Sequence, residues 1–151
     1  MDLKELYREV ILDHNRSPRN FGRLDPADGS AAGHNPLCGD TLDITLRMQG
    51  DRLTDLRFEG QGCAISVASA SLMSEAVKGR RRNEIEQIFG DVHALLTGRE
   101  SPGGRDLGKL AALAGVAEFP ARVKCASLCW HTLSAALRST DPQTVPSITT
   151  E

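Results

Sequence analysis

The spacing of apolar residues predicts a helix at the start of the chain and a β-hairpin after it. Within residues 2–14 the apolar positions recur at intervals of three and four, the pattern of an amphipathic helix. Residues 41–48 instead alternate between apolar and polar side chains, as in a half-buried strand. Gly50 and Asp51 supply a turn, and residues 53–59 return as the second strand.

The second half of the chain is predicted to be mostly helical. Residues 63–77 are rich in alanine and serine, whose small side chains let a helix approach its neighbours closely. Another helix is expected to begin near Asn83, which together with Glu86 has the spacing of a capping box. A short helix over residues 107–114 and a longer one from about 119 to 137 follow.

Length and composition are those of one globular domain. The chain has 151 residues, 40% of them hydrophobic and 25% charged, which excludes a disordered chain as a whole. With a short edge strand near residues 31–34, the predicted elements make one α+β domain over residues 1–138. The tail, residues 139–151, is polar and contains two prolines, and we expect it to be disordered.

The charge balance excludes several classes of partner. Eighteen Lys and Arg against twenty Asp and Glu give a formal charge of -2, so the chain lacks the excess of positive charge that binding to nucleic acid or to an anionic membrane requires. No apolar stretch approaches the 18 residues of a membrane span, and the first residues lack the apolar region of a signal peptide. We therefore expect a cytoplasmic protein.

Three of the four cysteines lie at the boundaries of predicted elements, two of them beside glycines. Cys38 precedes the hairpin, Cys63 begins a helix, and Cys125 follows a helix start by about a turn. Helix N-termini favour the thiolate, which is both a nucleophile and a metal ligand, and in a reducing compartment that chemistry is a better interpretation than disulfides. The alternative is three small buried hydrophobes. No Cys-x2-Cys pair is present, so any shared site would be assembled from distant loops.

Asp40 extends this set because it lies two residues after Cys38. In an extended segment the two side chains project to the same side. Three thiolates and one carboxylate suit tetrahedral zinc, with the oxygen as the most replaceable ligand. The alternative is that Asp40 bonds its own backbone in a turn before the strand.

Five stretches of the chain resemble U-type iron–sulfur cluster assembly proteins, the IscU-like, SufU-like and NifU N-terminal-like family. They read YREVILDH, SPRNFG, NPLCGD, FEGQGCAIS and RVKCASL, at residues 7–14, 17–22, 35–40, 58–66 and 122–128. The resemblance implies an α+β fold with a small antiparallel three-stranded sheet packed against several helices. Two features are similar to the SufU-like branch: Lys124 stands where IscU-like scaffolds have His, and residues 97–115 resemble the branch's insertion.

The resemblance also implies a site and an activity. Zinc would be held by Cys38, Asp40, Cys63 and Cys125. The protein would be a sulfurtransferase that accepts persulfide sulfur from a pyridoxal-phosphate-dependent cysteine desulfurase and passes it to a downstream iron–sulfur scaffold. In the family a partner side chain replaces the cysteine that matches Cys38 on zinc, which makes Cys38 the acceptor. The alternatives are a scaffold for a transient 2Fe–2S cluster and a purely structural zinc domain.

The remaining reactive or charged side chains are interpreted mainly as structural or solvated residues. Cys129 lies four residues after Cys125 on the same helix face; we interpret it as a buried small residue, the alternative being a further ligand or a resolving thiol. His131 is interpreted as structural, His14 as a residue interacting with a helix dipole, and residues 80–82 as a solvated arginine run. Lys124 would either attract a persulfide anion or be solvated.

Overall fold

The fold was analysed in a computed structural model that describes residues 3–36, 39–99, 107–139 and 147–149. Helix α1 spans Leu3–Arg16, and strands β1 (Gly29–Asn35), β2 (Asp40–Gln49) and β3 (Arg52–Gln61) follow it. Next come α2 (Ala64–Val77), α3 (Arg82–Leu96), a 3₁₀ helix (Gly108–Glu118) and α4 (Pro120–Arg138). A three-residue strand, β4, covers Ser147–Thr149.

The sheet has the order β3-β2-β1-β4. Strands β1, β2 and β3 pair antiparallel, which confirms the α+β class and its three-stranded antiparallel sheet, and β4 adds a short parallel pairing on β1. The tail was expected to be disordered, yet Ser139 is buried and residues 147–149 form β4. For residues 140–146 and 150–151, which lie outside the described residues, that expectation is untested.

Alternation along β2 explains where the core lies. Leu42, Ile44 and Leu46 are buried, and α4 packs against β1 and β2 on this side. Trp130 of α4 is fully buried within the same apolar cluster. Within the described part of the chain, no helix has the length and apolar character needed to cross a membrane.

Helix α2 is the central helix, and its small residues permit close contacts on two sides. The Ser69 hydroxyl donates to the Ala126 carbonyl of α4 at 2.6 Å, and the Ser71 hydroxyl lies 2.7 Å from His14 Nδ1 of α1. A larger side chain at either position would separate the helices. The predicted packing role of this alanine- and serine-rich segment is therefore observed.

Two helix predictions need correction. The N-cap of α3 is Arg81 rather than Asn83: the helix begins at Arg82, and the Arg81 backbone N–H donates to the carboxylate of Glu84, at 3.2 Å. The segment expected as a short helix over residues 107–114 is a 3₁₀ helix extending to Glu118. Of its four buried residues, Leu110, Leu113 and Val116 lie three apart, which places them on one face of a helix with three residues per turn, and Ala112 lies beside that face.

Candidate metal centre

Three potential ligands from separate elements converge at one end of the sheet. Asp40 is the first residue of β2, Cys63 is the N-cap of α2, and Cys125 lies in the second turn of α4. Their ligand atoms all lie within 4.8 Å of one another. The fold thus brings together three of the four side chains predicted as zinc ligands.

Cys38 lies outside the described residues. Its membership of the site and its role as sulfur acceptor therefore stay predictions. Among the described residues that could ligate a metal, the group consists of Asp40, Cys63 and Cys125.

Hydrogen bonds hold the three side chains in place. The backbone N–H of Cys63 donates to Asp40 Oδ1 at 2.8 Å, and Asp40 Oδ2 lies 4.0 Å from Cys63 Sγ. The Ser66 N–H points at Cys63 Sγ from 3.4 Å, so the thiol caps α2. These bonds connect the start of β2 to the start of α2. The Asp40 carboxylate therefore bonds α2, rather than only its own turn.

Two glycines allow β3 to deliver Cys63 to this point. Gly60 has a φ of +155°, and a Cβ there would collide with the Thr41 carbonyl oxygen of β2. At Gly62 a Cβ would lie 2.6 Å from Asp40 Oδ1, a separation that real Cβ atoms do not show. The absence of a side chain at Gly60 permits the close pairing of β3 with β2, and its absence at Gly62 lets the Asp40 carboxylate reach the Cys63 backbone.

The site is closed on one side and open on another. Asp40 and Cys125 are completely buried, whereas Cys63 is half-buried. Tyr7 of α1 lies near the open side. Burial raises the pKa of its phenol; the positive charge of Arg122 opposes this rise, and Cys63 adds to it. The position of Tyr7 beside the site could not be predicted, because α1 is far from Cys63 along the chain.

Cys129 belongs to the core and not to the site. It is buried, with its sulfur 3.5 Å from Ser69 Oγ and 3.6 Å from the Ala126 carbonyl oxygen. Burial raises the pKa of its thiol to about 12, so it stays protonated at neutral pH. The geometry agrees with the interpretation of a small buried residue, and Cys129 is not among the grouped ligand atoms.

The two candidate histidines also lie away from the ligands. His131 packs edge-on against Phe89 with ring centroids 5.2 Å apart, as expected for a structural residue. His14 is fully buried, with Nδ1 2.7 Å from Ser71 Oγ and Nε2 3.7 Å from Glu75 Oε1, both on α2. Its interpretation as a residue interacting with a helix dipole stays a prediction. Burial lowers the pKa of both imidazoles.

The three donors suit a zinc ion in chemistry and spacing. Thiolate sulfur and carboxylate oxygen are zinc ligands, and a tetrahedron with Zn–S bonds of about 2.3 Å places two sulfurs about 3.8 Å apart. The separations observed, at most 4.8 Å, need only small side-chain adjustments to meet that value. Sulfur ligands equally suit iron–sulfur clusters, so donor chemistry alone leaves both groups open.

A family model for the NifU-like N-terminal domain matches residues 6–126. The chain belongs to this family. The resemblance to U-type iron–sulfur cluster assembly proteins that the sequence motifs indicated is thereby confirmed. The match contains all three described ligands, so the candidate centre lies within the family's own domain.

Curated relatives of the NifU-like chain carry two different descriptions. The zinc-dependent sulfurtransferase SufU of Bacillus subtilis (strain 168) is 44% identical over 135 residues, which cover 87% of this chain and 89% of the relative. The iron–sulfur cluster assembly scaffold protein IscU of Streptococcus pyogenes serotype M1 is 38% identical over 136 residues, 90% of this chain and 85% of the relative.

Solved structures agree with the fold. A protein from Fervidobacterium islandicum AW-1, described as a candidate iron–sulfur assembly scaffold of the SUF system, superposes with a TM-score of 0.81 at 32% identity. That alignment covers 88% of this chain and 97% of the other. A NifU-like N-terminal protein from Brucella abortus, 23% identical, has a TM-score of 0.82 over 95% of this chain and 100% of its own, which supports the fold alone.

Proposed function

We propose that this protein is a zinc-dependent sulfurtransferase of iron–sulfur cluster assembly. It would accept sulfur from the persulfide of a pyridoxal-phosphate-dependent cysteine desulfurase and pass it to a downstream scaffold. The observation that carries the proposal is the convergence of Asp40, Cys63 and Cys125 from three elements. The SufU relative, the more similar of the two relatives described above, supports zinc as the ion.

The proposed ligand set is Cys38, Asp40, Cys63 and Cys125. Zinc bound there would supply positive charge that keeps thiolates deprotonated at neutral pH. Asp40 and Cys125 are buried and hydrogen-bonded, which makes them anchoring ligands. The half-buried Cys63 marks the side from which a partner can approach.

Cys38 is the proposed acceptor of sulfur. Its thiolate would attack the outer sulfur of the desulfurase persulfide, forming a new S–S bond at Cys38 while the partner's S–S bond breaks. The electron pair of the broken bond leaves on the partner's cysteine as a thiolate. No external oxidant or reductant is needed, because one persulfide is exchanged for another.

A 2Fe–2S scaffold is the second candidate function, and the IscU relative specifically favours it. The two functions differ in what the purified protein contains. Elemental analysis of protein made without added metal, together with a visible spectrum, should give about one zinc per chain and no visible band. Iron with sulfide and a brown colour would instead support the scaffold.

Substitution of Cys38 tests the transfer step. Cys38→Ser should fold normally but fail to stimulate a cysteine desulfurase. Cys129→Ala is the matched control, since it removes a cysteine that lies outside the ligand group. Normal stimulation by Cys38→Ser would rule out the proposed mechanism. A purely structural zinc site would instead show itself as lost stability, because metal binding contributes about 10–16 kcal/mol of folding free energy in small zinc modules.

A further inference from the structure

Asn35 lies directly beside the candidate ligands without belonging to them. It is the last residue of β1, is completely buried, and pairs with Asp40 in the β1–β2 register. Its side-chain Nδ2 points at Cys125 Sγ from 3.6 Å, within hydrogen-bonding reach of sulfur. The amide therefore reaches across from the sheet to the ligand on α4.

A buried amide needs hydrogen-bond partners, and this one is directed at a sulfur atom. The NH₂ of Asn is a donor, while a thiolate is a much better acceptor than a neutral thiol, because hydrogen bonds to ionised groups are the stronger ones. Such a bond draws electron density from the sulfur. A sulfur that shares its charge with an N–H is a weaker nucleophile but is held in a fixed orientation.

Each of the three described ligands receives a hydrogen bond, but the donors differ in kind. Asp40 is held by the backbone N–H of Cys63, and Cys63 by the backbone N–H of Ser66. Cys125 instead receives its bond from the Asn35 side chain. This bond can therefore be removed by a single substitution. Outer contacts of this type orient metal ligands and affect metal affinity.

We propose that Asn35 is a positioning residue of the metal centre: its amide N–H, donated to Cys125 Sγ, fixes Cys125 as an anchoring ligand of lowered nucleophilicity. The sulfur chemistry is thereby directed away from Cys125. The inference rests on the proposed function for the presence of a metal, but it does not require that sulfur transfer occurs.

The test uses Co²⁺, which reports thiolate ligation through its charge-transfer absorption. Asn35→Leu keeps the branched shape and the number of side-chain heavy atoms but has no N–H donor, so in the Co²⁺-loaded full chain the sulfur-to-metal band should move to lower energy. Affinity for Co²⁺ and Zn²⁺ should fall by about 10–100-fold. Asn83→Leu, the same change at an exposed site on α3, is the control and should alter neither quantity.

A purely structural role for Asn35 would give a different result. The affinity for Co²⁺ would then fall, but the energy of the sulfur-to-metal band in the metal-bound fraction would not change. That outcome would overturn the proposal. An unchanged band energy with an unchanged affinity would also overturn it. If Asn35→Leu does not fold, as judged by circular dichroism, the same band is measured in Asn35→Ala, which is smaller than asparagine and has no side-chain N–H donor.

Failure of the proposed function would be seen separately. If the unmodified protein binds Co²⁺ with a thiolate band but does not stimulate a desulfurase, the proposed transfer fails while the band shift still decides the role of Asn35. If the unmodified protein shows no thiolate band with Co²⁺, both proposals are overturned.

Discussion

Gly62→Ala tests the candidate centre with the smallest change the chain offers, one methyl group. Its backbone lies outside the left-handed region, so alanine meets no conformational penalty there. The new Cβ would lie 2.6 Å from Asp40 Oδ1 and 3.1 Å from Cγ, whereas ordinary contacts begin near 3.4 Å. The carboxylate oxygen must therefore move by about 0.8 Å, away from both the Cys63 N–H and the other ligands.

Two consequences of that displacement can be measured. Loss of the bond from the Cys63 N–H, 2.8 Å long and made to a carboxylate, costs about 1.5–3 kcal/mol. Alanine recovers about 0.4–1 kcal/mol through the unfolded chain, so metal-free protein should lose about 0.5–2.5 kcal/mol in urea unfolding. Affinity for zinc should fall by about tenfold or more, as measured by competition with a chelator.

Gly90→Ala is the matched control. Gly90 lies in α3, and a Cβ there meets nothing within 4 Å. This variant should gain about 0.5–1 kcal/mol of stability, because alanine is the better helix former, and keep the parent's zinc affinity. Parental zinc affinity in Gly62→Ala would refute the assignment of Asp40 as a ligand held in this position.

Three further predictions concern groups outside the ligand set. Burial raises the pKa of the Cys129 thiol to about 12, so Cys129 should resist iodoacetamide in native protein and react in denaturant. Because the thiol ionises at lower pH in the unfolded chain, the stability that the buried neutral thiol contributes should be lost as pH rises from about 9 to 12. Burial lowers the pKa of His14, so this histidine binds a proton more readily in the unfolded chain than in the folded protein. Stability should therefore fall as pH drops below 6.5, and His14→Gln should flatten that dependence in urea titrations. Gly115→Ala would place a Cβ 2.7 Å from the Tyr7 ring and should lower the free energy of unfolding by about 1–3 kcal/mol.

The hairpin could be predicted from the sequence because its pattern is local. Alternation over residues 41–48 and 53–59 defines the two strands, which the structure extends by only one or two residues at each end. The start of α3 could not be predicted in this way. Glu84 lies three residues after position 81, and Glu86 lies three residues after Asn83, so both pairs have the spacing of a capping box. A tertiary contact favours the first pair: the Arg82 backbone N–H donates to the Asp51 carbonyl of the β2–β3 turn.

The site was predictable in its residue types but not in its assembly. Glycine-flanked cysteines and a nearby carboxylate indicate metal-ligand chemistry, whereas the convergence of Asp40, Cys63 and Cys125 depends on the β2–β3 register and on α4 packing against the sheet. Asn35 is the first residue of the NPLCGD motif, yet its contact with Cys125 spans 90 residues of sequence. No local pattern reports a contact of that range.

Asp40 illustrates how one candidate ligand combines two functions that a substitution can separate. Its Oδ1 accepts the Cys63 N–H, while Oδ2 lies toward Cys63 Sγ, on the side of the other ligands. Asp40→Asn can keep a carbonyl oxygen for the Cys63 N–H and replaces the other oxygen with an uncharged NH₂ group, which is not a zinc ligand. Asp40→Ala removes both.

We therefore expect the two Asp40 variants to differ in metal-free stability and to resemble each other in metal binding. Asp40→Ala leaves the Cys63 N–H without its carboxylate and should lose about 1.5–3 kcal/mol in urea unfolding, whereas Asp40→Asn should lose less than half of that. Both should bind zinc at least tenfold more weakly, by chelator competition. Equal stability losses would show that the carboxylate charge, rather than the hydrogen bond, connects β2 to α2. Undiminished zinc affinity in Asp40→Asn would remove the carboxylate from the ligand set and leave a site of thiolates.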